Sequence, residues 1–146
     1  MSAARTQAMS AITLTDEQTR KAALYFARGR SLLGLGLTLL PGAATKIGVG
    51  KSSAPASALM RMVGVRDLAI GLGAVAGVRE GIQAPEWLGW GAVADGVDAL
   101  ALLLTPGLPK RARLVGLLAA GGAAAGMKLA WDLADQRSRE HALTSD

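Results

Sequence analysis

An arginine and an aspartate stand side by side in the middle of a long, predominantly apolar segment, and this pair constrains the fold more than any other feature. Arg66 and Asp67 lie within residues 54–78, where most neighbours are apolar or glycine. A charge in such surroundings costs several kcal/mol to bury unless it is paired. In membrane helices, charged residues are rare and face other helices or a polar site. The pair therefore predicts a membrane helix packed among other helices.

Four apolar segments have lengths close to that of a bilayer crossing. A helix rises about 1.5 Å per residue, so about 20 residues cross a hydrocarbon core of about 30 Å. The sequence predicts spans at residues 22–40, 55–78, 86–104 and 114–134. Four spans place both chain ends on one side. The fold class we predict is all-α, an integral membrane four-helix bundle with both termini on the same side.

The polar segments divide the chain further. We assign a polar N-terminal tail, a four-helix transmembrane domain and a charged C-terminal tail to residues 1–21, 22–134 and 135–146. Within the first tail, Thr15 followed by Gln18 has the spacing of a capping box and predicts a helix start. Residues 41–53 begin with Pro-Gly and are predicted to form a loop.

The apolar residues are of a kind that suits close helix packing in lipid. The chain has 19 glycines but only five aromatic residues, three Trp, one Tyr and one Phe. Small residues let membrane helices approach closely. Glycines recur at helical spacing in two spans, and we expect them to form packing faces: Gly73, Gly77 and Gly81 in the second span, and Gly122 and Gly126 in the fourth.

Composition argues against several classes of function. The net charge of +5 comes from scattered Lys and Arg, and aromatic residues are too few for a base-stacking surface, so we expect no nucleic-acid partner. Cysteine is absent and His141 is the single histidine, so we expect no metal site. Residues 48–52 look like the end of a phosphate-binding loop, but Thr45 stands where the full pattern requires glycine. We expect no cofactor.

Charged residues in different spans are predicted to meet at a common depth. Asp95 and Asp98 share one face of the third span, and their distance from its end matches that of Arg66 and Asp67 in the second. We expect a buried polar cluster in which three cations offset three carboxylates, made of Arg28, Arg66, Asp67, Asp95, Asp98 and Lys128. Arg66 should pair with Asp95 or Asp98, because its guanidinium can fork to a carboxylate. Arg66 and Asp67, as sequence neighbours, should point apart.

Three patterns occur in order within residues 24–134: Arg28…Gly34…Pro41, then Gly64-Val65-Arg66-Asp67-Leu68-x-x-Gly71, and then Asp95-x-x-Asp98. With them the chain resembles a family of small four-span integral membrane proteins of unknown function that carry a Gly-x-Arg-Asp-Leu-x-x-Gly signature. The resemblance implies the fold and a membrane location. It implies no reaction.

Three classes of membrane function are compatible with these features, and a soluble helical domain is the remaining alternative. The first is a structural or accessory subunit of a membrane complex or lipid pathway, with the buried charges as a lock between helices. The second is an isomerase or cyclase acting on a lipophilic substrate by acid–base chemistry, with catalytic candidates Asp95, Asp98, Arg66 and Asp67. The third is a small dimeric transporter.

The expected partners follow from the same features. They are the lipid bilayer, a second copy or another membrane protein, and a lipophilic small molecule. We expect a plasma-membrane location with the tails on the cytoplasmic side, because Arg28 and Arg30 add positive charge to that end.

Overall fold

The computed structural model describes residues 15–144, and within that range the chain is helical with no strand. Five helices follow one another: α1 (Asp16–Leu39), α2 (Pro41–Val49), α3 (Ala54–Glu80), α4 (Ala84–Leu104) and α5 (Lys110–Thr144). The prediction of an all-α fold is confirmed.

Helix α1 begins at the predicted cap. The Thr15 hydroxyl accepts a hydrogen bond from the backbone N–H of Gln18 at 3.3 Å, and the Gln18 side chain accepts one from the Thr15 N–H at 2.9 Å. These reciprocal bonds satisfy N–H groups that have no partner within the helix. The helix starts at Asp16, inside the stretch assigned to the N-terminal tail, while residues 1–14 of that tail lie outside the described residues.

The segment predicted as a loop contains the short helix α2, so that prediction is wrong for residues 41–49. Pro41 occupies the first helical turn, where its missing N–H costs nothing. Inside this turn the Thr45 hydroxyl donates to the Pro41 or Gly42 carbonyl oxygen, 3.0 Å from each. The axis of α2 is bent by 101° from that of α1.

Two helices end at a glycine whose backbone is left-handed. Gly50 (φ 85°) follows α2 and Gly81 (φ 72°) follows α3. This conformation is costly for residues with a Cβ. The prediction that Gly81 belongs to a packing face is therefore wrong: a Cβ there would meet no neighbouring atom within 4 Å, and the residue ends the helix.

The long helices form two antiparallel pairs. In the α1–α3 pair Gly34 lies against Gly64 and Asp67, whereas Gly71 lies against Ser31. In the α4–α5 pair, Gly116 faces Leu102 and Leu103, and Gly126 faces Ala92. The start of α1 and the end of α5 lie at the same end of the bundle, where Asp16 and Arg139 form an ion pair at 3.7 Å.

The side chains are distributed in the reverse of a soluble core. The buried apolar residues are mainly alanine, and the largest side chains that are fully buried are those of Thr19 and Thr45. Large apolar side chains point outward on every long helix, among them Leu32, Leu72, Val97 and Leu118. Soluble proteins instead bury most of their Leu, Ile and Val side chains.

Two helices, α4 and α5, are long and apolar enough to cross a membrane, and α1 with α2 would make a third if the bent pair is one span. Helix α3 is not among them. It carries five charged residues, Arg61, Arg66, Asp67, Arg79 and Glu80.

Candidate functional site

Five charged side chains meet between α1, α3 and α4. We name them the Arg–Asp cluster: Arg30 from α1, Arg66 and Asp67 from α3, and Asp95 and Asp98 from α4. The ion pairs form one chain in which each arginine joins two aspartates and Asp67 is shared by both arginines. The cluster therefore links three of the four long helices.

Arg30 holds the inner end of the cluster. Its side chain is 8% exposed, and Nη1 donates to Asp67 Oδ1 at 3.1 Å. Nη2 donates to the Gly91 carbonyl oxygen at 3.2 Å and also contacts Asp95 Oδ2. Such charge-assisted bonds offset the cost of taking the guanidinium out of water. One side chain of α1 is thereby bonded to both α3 and α4.

Glycines make the room that the inner end occupies. A Cβ on Gly34 would lie 2.7 Å from the Gly64 carbonyl oxygen and 2.9 Å from the Asp67 carbonyl carbon, so α1 and α3 can approach this closely only without it. A Cβ on Gly91 would lie 3.2 Å from Arg30 Nε, and one on Gly122 would lie 2.9 Å from Asp95 Oδ2. The small residues of this bundle therefore accommodate charged groups as well as backbone.

Arg66 holds the outer end. Its Nη1 and Nη2 donate to the two carboxylate oxygens of Asp98 at 3.1 and 2.6 Å, so Asp98 is one of the two partners expected for Arg66. The side chains of Arg66 and Asp98 are 33% and 30% exposed. The outer end is thus open to the surroundings of the bundle.

Arg66 also reaches its sequence neighbour. Its Nε and Nη2 donate to Asp67 Oδ1 at 3.2 and 3.0 Å. The prediction that these two residues point apart is wrong. Neighbouring Cβ atoms do diverge by about 100° around a helix, but the long arginine side chain bends back across that angle.

Two residues assigned to the buried cluster lie elsewhere. Arg28 and Lys128 are both exposed, and Lys128 pairs with Asp132 on its own helix at 2.6 Å. Their inclusion in the cluster is wrong, because depth along a helix does not fix which way a side chain faces. Arg30, two residues after Arg28, takes the place in the cluster.

A signal for Arg30 was present in the sequence. The buried residues of α1 are Thr19, Ala23, Ala27, Arg30 and Gly34, at intervals of three or four residues. This is the period of one helical face. Arg30 continues a stripe of small residues, whereas Arg28 lies about 200° around the helix from it.

The remaining glycines of the expected packing faces contact other parts of the fold. A Cβ on Gly73 would meet the Trp87 ring at 2.5 Å, and one on Gly77 would lie 2.8 Å from the Ile82 carbonyl oxygen. A Cβ on Gly126 would lie 3.3 Å from Phe26 Cε1. These glycines bring α3 close to α4, and α5 close to α1.

The charged groups of the Arg–Asp cluster serve as hydrogen-bond partners for one another. Among the described residues, no buried side-chain nitrogen or oxygen atom lacks a hydrogen-bond partner. Two surface pockets, of about 70 and 380 Å³, lie at the end of the bundle where α1 begins, and no member of the cluster lines either one. In residues 15–144, no three carboxylate or imidazole groups are arranged to hold a metal ion.

No protein-family model, no curated protein and no solved structure matches this chain.

Proposed function

We propose that this chain is a small integral membrane protein with four spans, α1, α3, α4 and α5, in which the Arg–Asp cluster locks the helices together. Its role is that of a structural or accessory subunit in a membrane complex or lipid pathway. We also propose that the chain belongs to the family it resembles, the four-span membrane proteins with the Gly-x-Arg-Asp-Leu-x-x-Gly signature.

The outward placement of the large apolar side chains carries the membrane part of the proposal. Leu32, Leu72, Val97 and Leu118 are each more than half exposed, while alanines fill the interior. In water this surface would be an extensive apolar patch, which soluble monomers avoid. In a bilayer the same apolar surface contacts apolar lipid tails. The small interior residues let the helices approach closely.

We include helix α3 among the spans because its charged residues are either paired inside the bundle or lie toward the ends of the helix. Asp67 is 4% exposed and both it and Arg66 are engaged in ion pairs, so the two charges in its middle are held by the bundle. Arg61, Arg79 and Glu80 lie toward the ends of the helix, where long side chains reach the membrane surface.

Exposed aromatic side chains support one membrane boundary. Tyr25, Trp90 and Trp131 are exposed on α1, α4 and α5, in the half of each helix that is nearer to the end of the bundle where α1 begins. Tyr and Trp are enriched where hydrocarbon meets the headgroups. Exposed Arg28 lies one helical turn from Tyr25, close enough for its guanidinium to reach that boundary. This added positive charge favours a cytoplasmic location for that end, in the plasma membrane.

The packing of the cluster favours a lock over a reaction centre. A general acid or base must lie within hydrogen-bond reach of a bound substrate. Here each carboxylate is already paired with an arginine, and neither described pocket borders the cluster. Paired charges between helices do fix register, since any slip would separate them.

Membrane extraction tests the location. The protein should remain with membranes through a carbonate wash and require detergent for release. A control is Leu32→Glu, which places a charge on the outward face and should reduce insertion. Recovery of the native chain as a monodisperse soluble protein without detergent would refute the proposal.

Paired replacement tests the lock. Arg66→Met should lower thermal stability, and adding Asp98→Leu should restore much of it, because the two groups leave together. In cells lacking the native chain, the double variant should also complement the deletion and restore the normal phenotype. Restored stability without restored phenotype would instead identify the outer end as a reaction or transport centre.

A further inference from the structure

We propose that the Arg–Asp cluster is a proton-binding site and that Asp95 carries the proton. The inference rests on the proposed function, because it requires the cluster to lie in the bilayer interior. It starts from the composition of the cluster, which contains three carboxylates but only two guanidinium groups.

No further cation among the described residues joins the cluster. Helix α1 contributes Arg30, α3 contributes Arg66 with Asp67, and α4 contributes Asp98 beside Asp95. Helix α5 faces Asp95 with Gly122, which has no side chain. Arg28 and Lys128 are exposed, and Lys128 pairs with Asp132 on its own helix. With all five groups charged, the cluster would hold one excess negative charge.

An excess charge in apolar surroundings is removed most readily by binding a proton. Desolvation and neighbouring carboxylates both disfavour ionisation of an acid, whereas hydrogen bonds from cations favour it. In a coupled group of acids, the proton is retained where the cations give the least support. The hydrogen bonds decide which of the three aspartates that is.

Asp95 receives the least support. Asp67 Oδ1 accepts from both arginines, and Asp98 accepts a two-pronged contact from Arg66. Among the described residues, Asp95 is hydrogen-bonded by Arg30 alone, and Arg30 is shared with Asp67 and the Gly91 carbonyl oxygen. The Asp67 side chain is more enclosed, 6% exposed against 15% for Asp95, but it receives hydrogen bonds from both arginines. Asp95 is therefore the carboxyl that keeps the proton.

Labelling with dicyclohexylcarbodiimide tests this assignment. The reagent enters bilayers and reacts with protonated carboxyls: the carboxyl proton moves to a carbodiimide nitrogen, and the carboxyl oxygen bonds to the central carbon. The acyl group then migrates to nitrogen to give a stable acylurea, with no leaving group. The full chain in phosphatidylcholine vesicles at neutral pH should acquire one adduct, which peptide mass spectrometry places on Asp95.

Two variants separate a proton site from mere accessibility. Asp98→Asn leaves two carboxylates against two arginines, so labelling of Asp95 should fall by roughly tenfold or more although Asp95 is unchanged. Asp132→Asn removes an acid outside the cluster and should leave labelling as in the native chain. Labelling of Asp95 that persists at the native rate in Asp98→Asn would overturn the charge argument.

Infrared spectroscopy of the native chain gives a result that depends on no variant. With isotope-labelled aspartate, the vesicle-bound protein should show the carbonyl stretch of one protonated carboxyl. Its absence, together with no adduct on Asp95, would overturn the proposal. A protein that withstands the carbonate wash but shows neither signal would retain the proposed membrane function and lose only the proton site.

Discussion

The two ends of the Arg–Asp cluster have the same chemistry and different surroundings. Arg30 and Arg66 each join two aspartates, and they share Asp67. The Arg30 side chain is 8% exposed and closely bordered by glycine backbone, whereas that of Arg66 is 33% exposed. A charged side chain at the inner end that loses its partner stays enclosed by the helices. At the outer end, the open space on one side lets the remaining side chain rearrange.

This difference shows why counting ion pairs does not measure their importance. Breaking a buried pair is costly mainly because the remaining charge stays enclosed without a partner, whereas a side chain that is open on one side can rearrange. The inner end should therefore determine whether the bundle assembles. The outer end should adjust its stability. Three predictions test this contrast, from the largest expected effect to the smallest.

Arg30→Met should give the largest loss. It removes the enclosed hydrogen bonds from Arg30 to Asp67, Asp95 and the Gly91 carbonyl oxygen, so we expect the free energy of unfolding to fall by about 3–5 kcal/mol. The matched control is Arg28→Met, two residues away and exposed, which should change stability by less than about 0.5 kcal/mol. Unfolding in detergent micelles measures both. Equal losses for the two variants would remove the distinction between buried and exposed arginine.

Gly34→Ala should come next, because it disturbs the close approach that brings Arg30 to Asp67. The new Cβ would press on backbone atoms of Gly64 and Asp67, which cannot rotate away. Overpacking of this kind costs about 1–3 kcal/mol. Gly36→Ala is the control: its Cβ would meet nothing within 4 Å, so helix propensity should make it neutral or slightly stabilising. A tolerated alanine at position 34 would mean that α1 and α3 lie farther apart.

Arg66→Met should have the smallest effect of the three. Asp67 keeps Arg30, and the side chain of Asp98 is open on one side and can turn away from the bundle, so we expect a loss of about 1–2 kcal/mol, below the cost of breaking an enclosed pair. Thermal unfolding under the conditions used for Arg30→Met gives the comparison. A loss as large as that of Arg30→Met would show that the outer end is as enclosed as the inner end.

The sequence predicted local features well where chemistry between near neighbours decides them. The capping box at Thr15 and Gln18 formed as expected, since it depends on side chains three residues apart. The helical class followed from the long apolar segments. Helix α2 was missed because Pro-Gly indicates a turn, although proline also suits a first helical turn.

The cluster was harder to predict because it depends on the rotation of each helix. Depth placed Arg66 near Asp98, but it could not distinguish Arg28 from Arg30. The packing of the alanines and glycine of α1 against α3 determines which arginine faces inward. This packing joins residues that are far apart in the chain. The contact between Arg66 and Asp67 depends on a side-chain conformation that spacing alone cannot give.

Single-cysteine accessibility in lipid vesicles tests the central claim most directly, that the outward apolar faces of this bundle are covered by hydrocarbon. The native chain has no cysteine, so Val97→Cys and Ser138→Cys each introduce one thiol. Both positions are exposed on the isolated chain, Val97 between the two aspartates of α4 and Ser138 near the end of α5. With a charged maleimide on permeabilised vesicles, Ser138→Cys should react and Val97→Cys should react only after dissolution in denaturing detergent. Equal reaction of the two in intact bilayers would contradict the account.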